Sequence, residues 1–320
     1  MGAIVADSST SAANSHPSVL IVVGAAGDAE FGEQFAQWAK RWEGVGRQAD
    51  ANVAVLGLDK DGDLADRDRL KEVLAEEAKR SLAEMWVVFV GHGTFDGKEA
   101  KFNLRGPDVA AGEFSEWLQP FQRPVVLIDC SSASGPFINA LSKPGRVVVT
   151  ATRSGSEQNY ARFGDFFSAS ISDSAADLDK DGQTSLLEAF LMASHRVADF
   201  YKNEGRLATE HALLDDNGDG LGTPPDWFRG IRAIKKAAEG ASVDGLCAHQ
   251  IHLVRSKAER ELPSEVRSRR DELEMQLIRL RESKDQFPEA LYYEKLETLL
   301  LDLARLYESS DSKTAPKHAP

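Results

Sequence analysis

The sequence predicts an α/β protein built on a mostly parallel sheet with helices on both faces, followed by a C-terminal helical hairpin. Three observations lead there. Short apolar runs alternate with amphipathic stretches from residue 19 to about residue 160. The runs are continuous rather than alternating, as in strands buried on both faces. After Val254 the chain turns into two leucine stripes separated by Phe287-Pro288.

The elements follow in order. VLIVVGA (19–25) is a first strand, and FGEQFAQWAKRWEGV (31–45) carries apolar residues at helical spacing. NVAVLGL (52–58) is a second strand, and 67–82 reads as a helix. MWVVFVGHG (85–93) is a third strand ending in Gly91-His92-Gly93. A loop and a short helix around 113–118 come next. PVVLID (124–129) is a fourth strand, SGPFINAL (134–141) opens a helix, and RVVVTAT (146–152) is a fifth strand. Beyond residue 160 no strand is expected; 161–172 and 186–204 read as helices. Val266, Leu273, Leu277 and Leu280 form one stripe, and Leu296, Leu299, Leu303 and Leu306 the other. Proline stops a helix, so 253–308 is expected to fold back on itself as a hairpin or coiled-coil arm. The expected divisions are a disordered leader (1–16), the sheet domain (17–252), the hairpin (253–308) and a disordered polar tail (309–320).

Composition narrows the function. The formal net charge is −13, with 51 acidic against 38 basic side chains. A nucleic-acid partner is not expected, because phosphate binding needs a concentrated basic surface. Divalent cations suit such a chain. No apolar run reaches the roughly 18 residues of a membrane span. The two cysteines, Cys130 and Cys247, make no disulfide framework.

Ligands of open parallel sheets bind beyond the carboxyl ends of the strands. Two strand ends carry chemistry here: His92 between two glycines, and the segment from Asp129 to Gly135. A histidine beside a strand-end nucleophile is the minimum for acyl transfer.

VLIVVGAAGD, WVVFVGHGT, VVLIDCSSASGPF and VVVTATRSG, within residues 19–170, together resemble the clan CD cysteine peptidases, legumains above all. The resemblance implies a caspase/legumain-like three-layer sandwich and a cleft at His92 that holds a peptide or protein ligand. It implies that His92 acts on the leaving group and that the Gly93 amide helps bind the oxyanion. The family places its nucleophilic cysteine in Cys-x-Ser-Gly. Here that pattern is Ser132-Ala133-Ser134-Gly135, so Ser132 stands in the cysteine's place and Cys130 lies two residues upstream. Two residues along a strand is about 6.5 Å, more than hydrogen-bond reach. Weak or absent peptidase activity is therefore expected. The alternatives are a cysteine endopeptidase using His92 and Cys130, a serine enzyme using Ser132, and a calcium-stabilised scaffold that engages a partner through its C-terminal helices.

Two acidic loops have calcium-loop spacing. In the first, Asp177, Asp179, Asp181, Gln183, Ser185 and Glu188 fall at positions one, three, five, seven, nine and twelve, with Gly182 at the sharp turn. In the second, Asp215, Asn217, Asp219, Leu221, Thr223 and Asp226 take the same positions, although Pro224-Pro225 leaves no room for the usual exiting helix. Calcium is thus the expected cofactor, and an exported protein is the expected setting. Asp59–Asp63 has its glycine too early and reads as a simple turn. Cys247, His249 and His252 lack a fourth metal ligand and read as ordinary surface or core residues.

Overall fold

The computed structural model describes residues 16–59, 65–80, 83–235 and 243–314, except for the side chains of residues 282 and 309–314. Contacts divide the chain into two units, Met1–Val254 and Arg255–Pro320.

The first unit opens with strand β1 (Ser18–Val23), helix α1 (Ala29–Gln48), β2 (Asn52–Leu56), α2 (Asp66–Glu77) and β3 (Met85–Val90). Three short strands follow: β4 (Gly93–Phe95), β5 (Ala100–Phe102) and β6 (Val109–Ala110). Then come α3 (Ala111–Trp117), β7 (Val125–Asp129), α4 (Pro136–Leu141), β8 (Arg146–Thr150), α5 (Phe163–Ser170), α6 (Leu186–Asn203) and β9 (Leu213–Asp215). A small hairpin, β10 (Phe228–Arg229) with β11 (Arg232–Ala233), and α7 (Leu246–Gln250) end the unit.

The main sheet has the order β2-β1-β3-β7-β8-β9. Its first five strands are parallel, and β9 pairs antiparallel with β8. Side chains alternate between faces along each strand. Val19, Ile21, Val88, Ile128 and Val149 pack with Trp38 and Trp42 of α1, Phe163 and Phe167 of α5, and Phe190 of α6. Leu20, Val22, Val87, Leu127 and Val148 face the other way, onto Leu70 and Leu74 of α2, Phe114 of α3 and Phe137 of α4. The result is a mixed, mostly parallel sheet between two helical layers, the fold class expected from the sequence.

Several details differ from expectation. Strands do not stop at residue 160: β9 adds an antiparallel edge. Leu214 pairs with Val149 on one side and exchanges backbone hydrogen bonds with Thr223 on the other, so the second acidic loop covers this edge. The loop after His92 is an antiparallel sheet of order β4-β5-β6. Helix α2 ends at Glu77 rather than near residue 82. Buried Arg123 binds both the carbonyl and the carboxylate of Glu77, anchoring that end.

The second unit holds α8 (Lys257–Glu261), α9 (Ser264–Glu282), a 3₁₀ turn (Lys284–Gln286) and α10 (Glu289–Thr314). Helix α10 runs past Glu308, where a disordered tail was expected, because neither glycine nor proline interrupts the chain before Pro316. Residues 1–15 of the expected leader, 315–320 of the tail and 60–63 of the Asp59–Asp63 turn lie outside the described residues. A chain ending at Val254 is expected to keep one cooperative urea transition, since the sheet and its helical layers lie wholly in the first unit. Loss of that transition on truncation would make the hairpin part of the sheet unit's core.

Candidate active-site cleft and acidic loops

Strands β3 and β7 are neighbours, so their carboxyl ends bring His92-Gly93 and Asp129–Gly135 together. His92 sits half-buried in an aromatic pocket. Its ring lies edge-on to Phe31 and Phe35, with centroids 4.8 and 5.1 Å away, and Tyr160 is 6.1 Å away. Its Nε2 is 3.2 Å from the Ala26 carbonyl. A carbonyl only accepts, so Nε2 carries the proton and Nδ1 the lone pair of the neutral ring. Burial pushes the imidazole below its ordinary pKa, and the bond to Ala26 offsets part of that.

Gly93 and Ser132 clasp each other. The Gly93 amide donates to Ser132 Oγ at 3.2 Å, and Ser132 Oγ donates to the Gly93 carbonyl at 3.0 Å. Only glycine fits there: a Cβ on Gly93 would lie 2.2 Å from the Ser132 carbonyl oxygen. Ser132 is 4% exposed. Among the described residues no hydrogen bond joins Ser132 to His92. After Ser132 the backbone turns sharply. Ala133 has φ +55°, a left-handed conformation that costs a non-glycine residue energy, and its amide is held by the Glu157 carbonyl at 2.8 Å.

Asp129, the last residue of β7, and Cys130 after it face opposite layers. Cys130 continues the Val126–Ile128 face into the core beneath α1 and is 1% exposed. Burial pushes its thiol well above the ordinary value, and Asp129 and Glu210 add to the shift. The geometry therefore does not present Cys130 to the cleft, as the endopeptidase alternative requires. Asp129 points to the other layer and is fully buried. Its Oδ1 accepts from the Ser131 amide (2.9 Å) and hydroxyl (2.6 Å), while Oδ2 has no hydrogen-bond partner. Burial pushes the carboxyl up to about 7 against the Ser131 bonds.

The first acidic loop is ordered from within. Asp177 accepts from the amides of Lys180 (2.7 Å) and Gly182 (3.2 Å). Asp179 accepts from Asp181 N and Asp181 from Gln183 N. Glu188 closes the loop: Oε1 takes the amides of Leu178 and Asp179, and Oε2 takes the amide and hydroxyl of Ser185. One carboxylate oxygen from each of Asp177, Asp179 and Glu188 lies within 4.8 Å of the others. Burial, then Glu188 and Asp181, push Asp179 above the ordinary carboxylate range. His249 and His252 lie against this loop. Their Nε2 atoms are 3.5 Å from Asp179 and 3.9 Å from Asp181 respectively.

The second loop repeats these bonds position for position. Asp215 accepts from Gly218 N and Gly220 N, Asn217 from Asp219 N, and Asp219 from Leu221 N. The fourth and sixth residues have positive φ in both loops: Lys180 and Gly182, Gly218 and Gly220. The closing residue is not Asp226. That side chain is exposed and pairs with Lys235, because the 3₁₀ turn at Pro225–Trp227 carries it away. Asp244 closes the loop instead. Its Oδ1 accepts the amides of Asp216 and Asn217, and Oδ2 accepts the Thr223 hydroxyl at 2.6 Å. Glu188 makes the corresponding bonds to the second, third and ninth residues of the first loop. Burial pushes Asp244 up to about 7, reinforced by Asp216 and Asp215.

No family model matches the chain, and no curated protein matches its sequence. Solved structures do resemble it. The Drosophila initiator caspase Dronc matches with TM-score 0.42 and 15% identity over 64% of this chain and 81% of that one. Caspase-1 from Spodoptera frugiperda matches with TM-score 0.40 and 9% identity over 64% of this chain and 87% of that one. Chaetomium thermophilum Raptor matches with TM-score 0.34 and 9% identity over 49% of this chain and 17% of that one.

Proposed function

We propose that this chain is a calcium-binding homologue of the caspase/legumain-like peptidases that holds a peptide or protein ligand at the His92 cleft without cleaving it efficiently. The clasp between Ser132 and Gly93 carries this reading. The hydroxyl in the nucleophile's place commits its proton to the Gly93 carbonyl and occupies the amide that would stabilise an oxyanion. His92 keeps Nε2 on Ala26. Efficient hydrolysis of peptide substrates by the unaltered protein would refute it.

Calcium in this reading is held by Asp177, Asp179, Asp181, the Gln183 carbonyl and Glu188, with Ser185 beside them at the ninth position. In the second loop Asp215, Asn217, Asp219 and the Leu221 carbonyl hold it, with Asp244 in place of Asp226. Thr223, at the ninth position, orients Asp244. An ion that binds only the folded state stabilises it by mass action. At calcium about a hundredfold above the dissociation constant, the melting temperature is expected to rise by about 5–10 °C for each ion bound. Asp181→Ala or Glu188→Gln lowers that rise, and Asp244→Asn lowers the binding stoichiometry from two ions to one, while Asp226→Asn leaves it at two. A melting curve indifferent to millimolar calcium would sink the proposal. Millimolar calcium is an extracellular condition, so the reading carries export with it.

One observation favours a second reading, a scaffold that engages a protein through the C-terminal hairpin. Tyr293, Leu300, Leu301 and Tyr307 of α10 are 42–50% exposed.

A further inference from the structure

An open cleft of about 270 Å³ lies beside the aromatic pocket of His92. One wall is the segment after β8, with Asn159, Tyr160 and Arg162; the other is the end of α6 and the turn beyond it, with Tyr201, Arg206 and Thr209. The chain has more acids than bases, and several of its buried or part-buried arginines are paired with one: Arg41 with Asp165, Arg67 with Glu113, Arg123 with Glu77 and Arg196 with Asp173. Arg162 and Arg206 differ. Among the described residues neither guanidinium has a carboxylate within ion-pair distance, and only their backbone amides take part in hydrogen bonds.

Arg162 is nevertheless held. Its guanidinium lies 4.2 Å from the Phe200 ring centroid and 5.5 Å from that of Tyr160, so aromatic faces fix it without using its N–H groups. Glu210, whose charge Arg162 favours, is committed elsewhere. Its oxygens accept the amides of Arg162 and Phe163 and the hydroxyl of Tyr201, and burial works against its charge. The wall that carries Arg206 also presents the Tyr201 and Thr209 hydroxyls, 2.9 Å apart.

We propose that this cleft binds a phosphate monoester between Arg162 and Arg206. A monoester carries about −1.5 to −2 charge at neutral pH, which matches two guanidiniums, and its three oxygens accept from both forks at once. A carboxylate carries one charge and is satisfied by one fork, so it uses half of what the cleft offers. The site stands independently of any peptidase chemistry at Ser132.

Titration calorimetry at fixed ionic strength tests this with O-phosphoserine, a phosphoserine heptapeptide and the same peptide bearing glutamate. The phosphorylated probes are expected to bind, with the glutamate peptide weaker. Arg206→Ala and Arg162→Gln are each expected to weaken binding by about tenfold or more, the size of a lost charge-assisted hydrogen bond. Arg206 is exposed, so its variant leaves the fold intact even if Arg162→Gln disturbs the stacking. A heptapeptide that binds much tighter than the free amino acid assigns the site to phosphorylated polypeptides; equal affinities assign it to small esters. No binding of either phosphorylated probe at millimolar concentration overturns the proposal. So does unchanged affinity in both variants, or equal affinity for the glutamate peptide.

Discussion

Peptide substrates are expected to survive incubation with the unaltered protein, and Ser132→Cys is expected to switch on their hydrolysis. The hydroxyl of Ser132 is both donor and acceptor to Gly93, so a proton transfer to His92 would first have to break the 3.0 Å bond to the Gly93 carbonyl. Serine also ionises too weakly to attack without an oriented base. A thiol changes both conditions. It is a poor hydrogen-bond donor and acceptor, so it releases the Gly93 amide. About a few per cent of it is thiolate at neutral pH, which needs no base to form. His92, neutral because burial lowers its pKa, takes the proton of the attacking thiol as base and hands it to the leaving group.

His92→Ala in the Ser132→Cys background is expected to remove about a hundredfold or more of the new rate, the usual contribution of general acid–base catalysis. The pH–rate profile supplies a further check. A base works while neutral, and the His92 pKa lies below its ordinary 6.5, so the acid limb of the profile is expected below that value. Matching melting curves for the variants separate a chemical loss from a folding defect. The opposite result is equally readable. Efficient cleavage by the unaltered protein, abolished by Cys130→Ala, would mean that the strand end rearranges to expose Cys130.

The parallel core was legible because four of its five strands are runs of buried, mainly apolar residues, such as Leu20-Ile21-Val22-Val23 and Val125-Val126-Leu127-Ile128; the edge strand β2 is only partly buried but still mostly apolar. Strand β9 was not. Leu213-Leu214-Asp215 is too short to show a period, and its antiparallel place is fixed by Val148–Thr150 on one side and Thr223 on the other. The acidic loops were legible as far as their ligands are contiguous. Asp244 was invisible because it reaches the loop only through the tertiary fold, 28 residues after Asp216. At the cleft, strand order makes His92-Gly93 and Ser132 neighbours, which the spacing suggested. The clasp is different in kind. It depends on the turn at Ala133 and on the missing Cβ of Gly93, and no spacing rule reports either.

Asp129 is expected to make the protein less stable as pH rises. An aspartate at a strand end is usually solvated, but this one is fully buried and its Oδ2 has no partner. Its folded pKa, about 7, stands above the ordinary 3.8. Between those values the folded state binds more protons than the unfolded state, so unfolding free energy falls with increasing pH. The contribution is fully present below the unfolded pKa, is lost from there up to about pH 7, and is level above it. A gap of that width between the folded and unfolded carboxyl corresponds to roughly 4 kcal/mol at most. Asp129→Asn removes this titration while keeping an oxygen to accept from Ser131. Its new amide hydrogens meet no acceptor in place of Oδ2, which costs stability at every pH alike. Urea midpoints for both proteins from pH 5 to pH 8 give the test. The unaltered protein is expected to lose stability across that range relative to Asp129→Asn, and the raised pKa values of Glu210, Asp216 and Asp244 drop out of the difference because both proteins share them. Parallel curves would show that Asp129 is ionised in the folded state and that its buried carboxylate has a compensating partner.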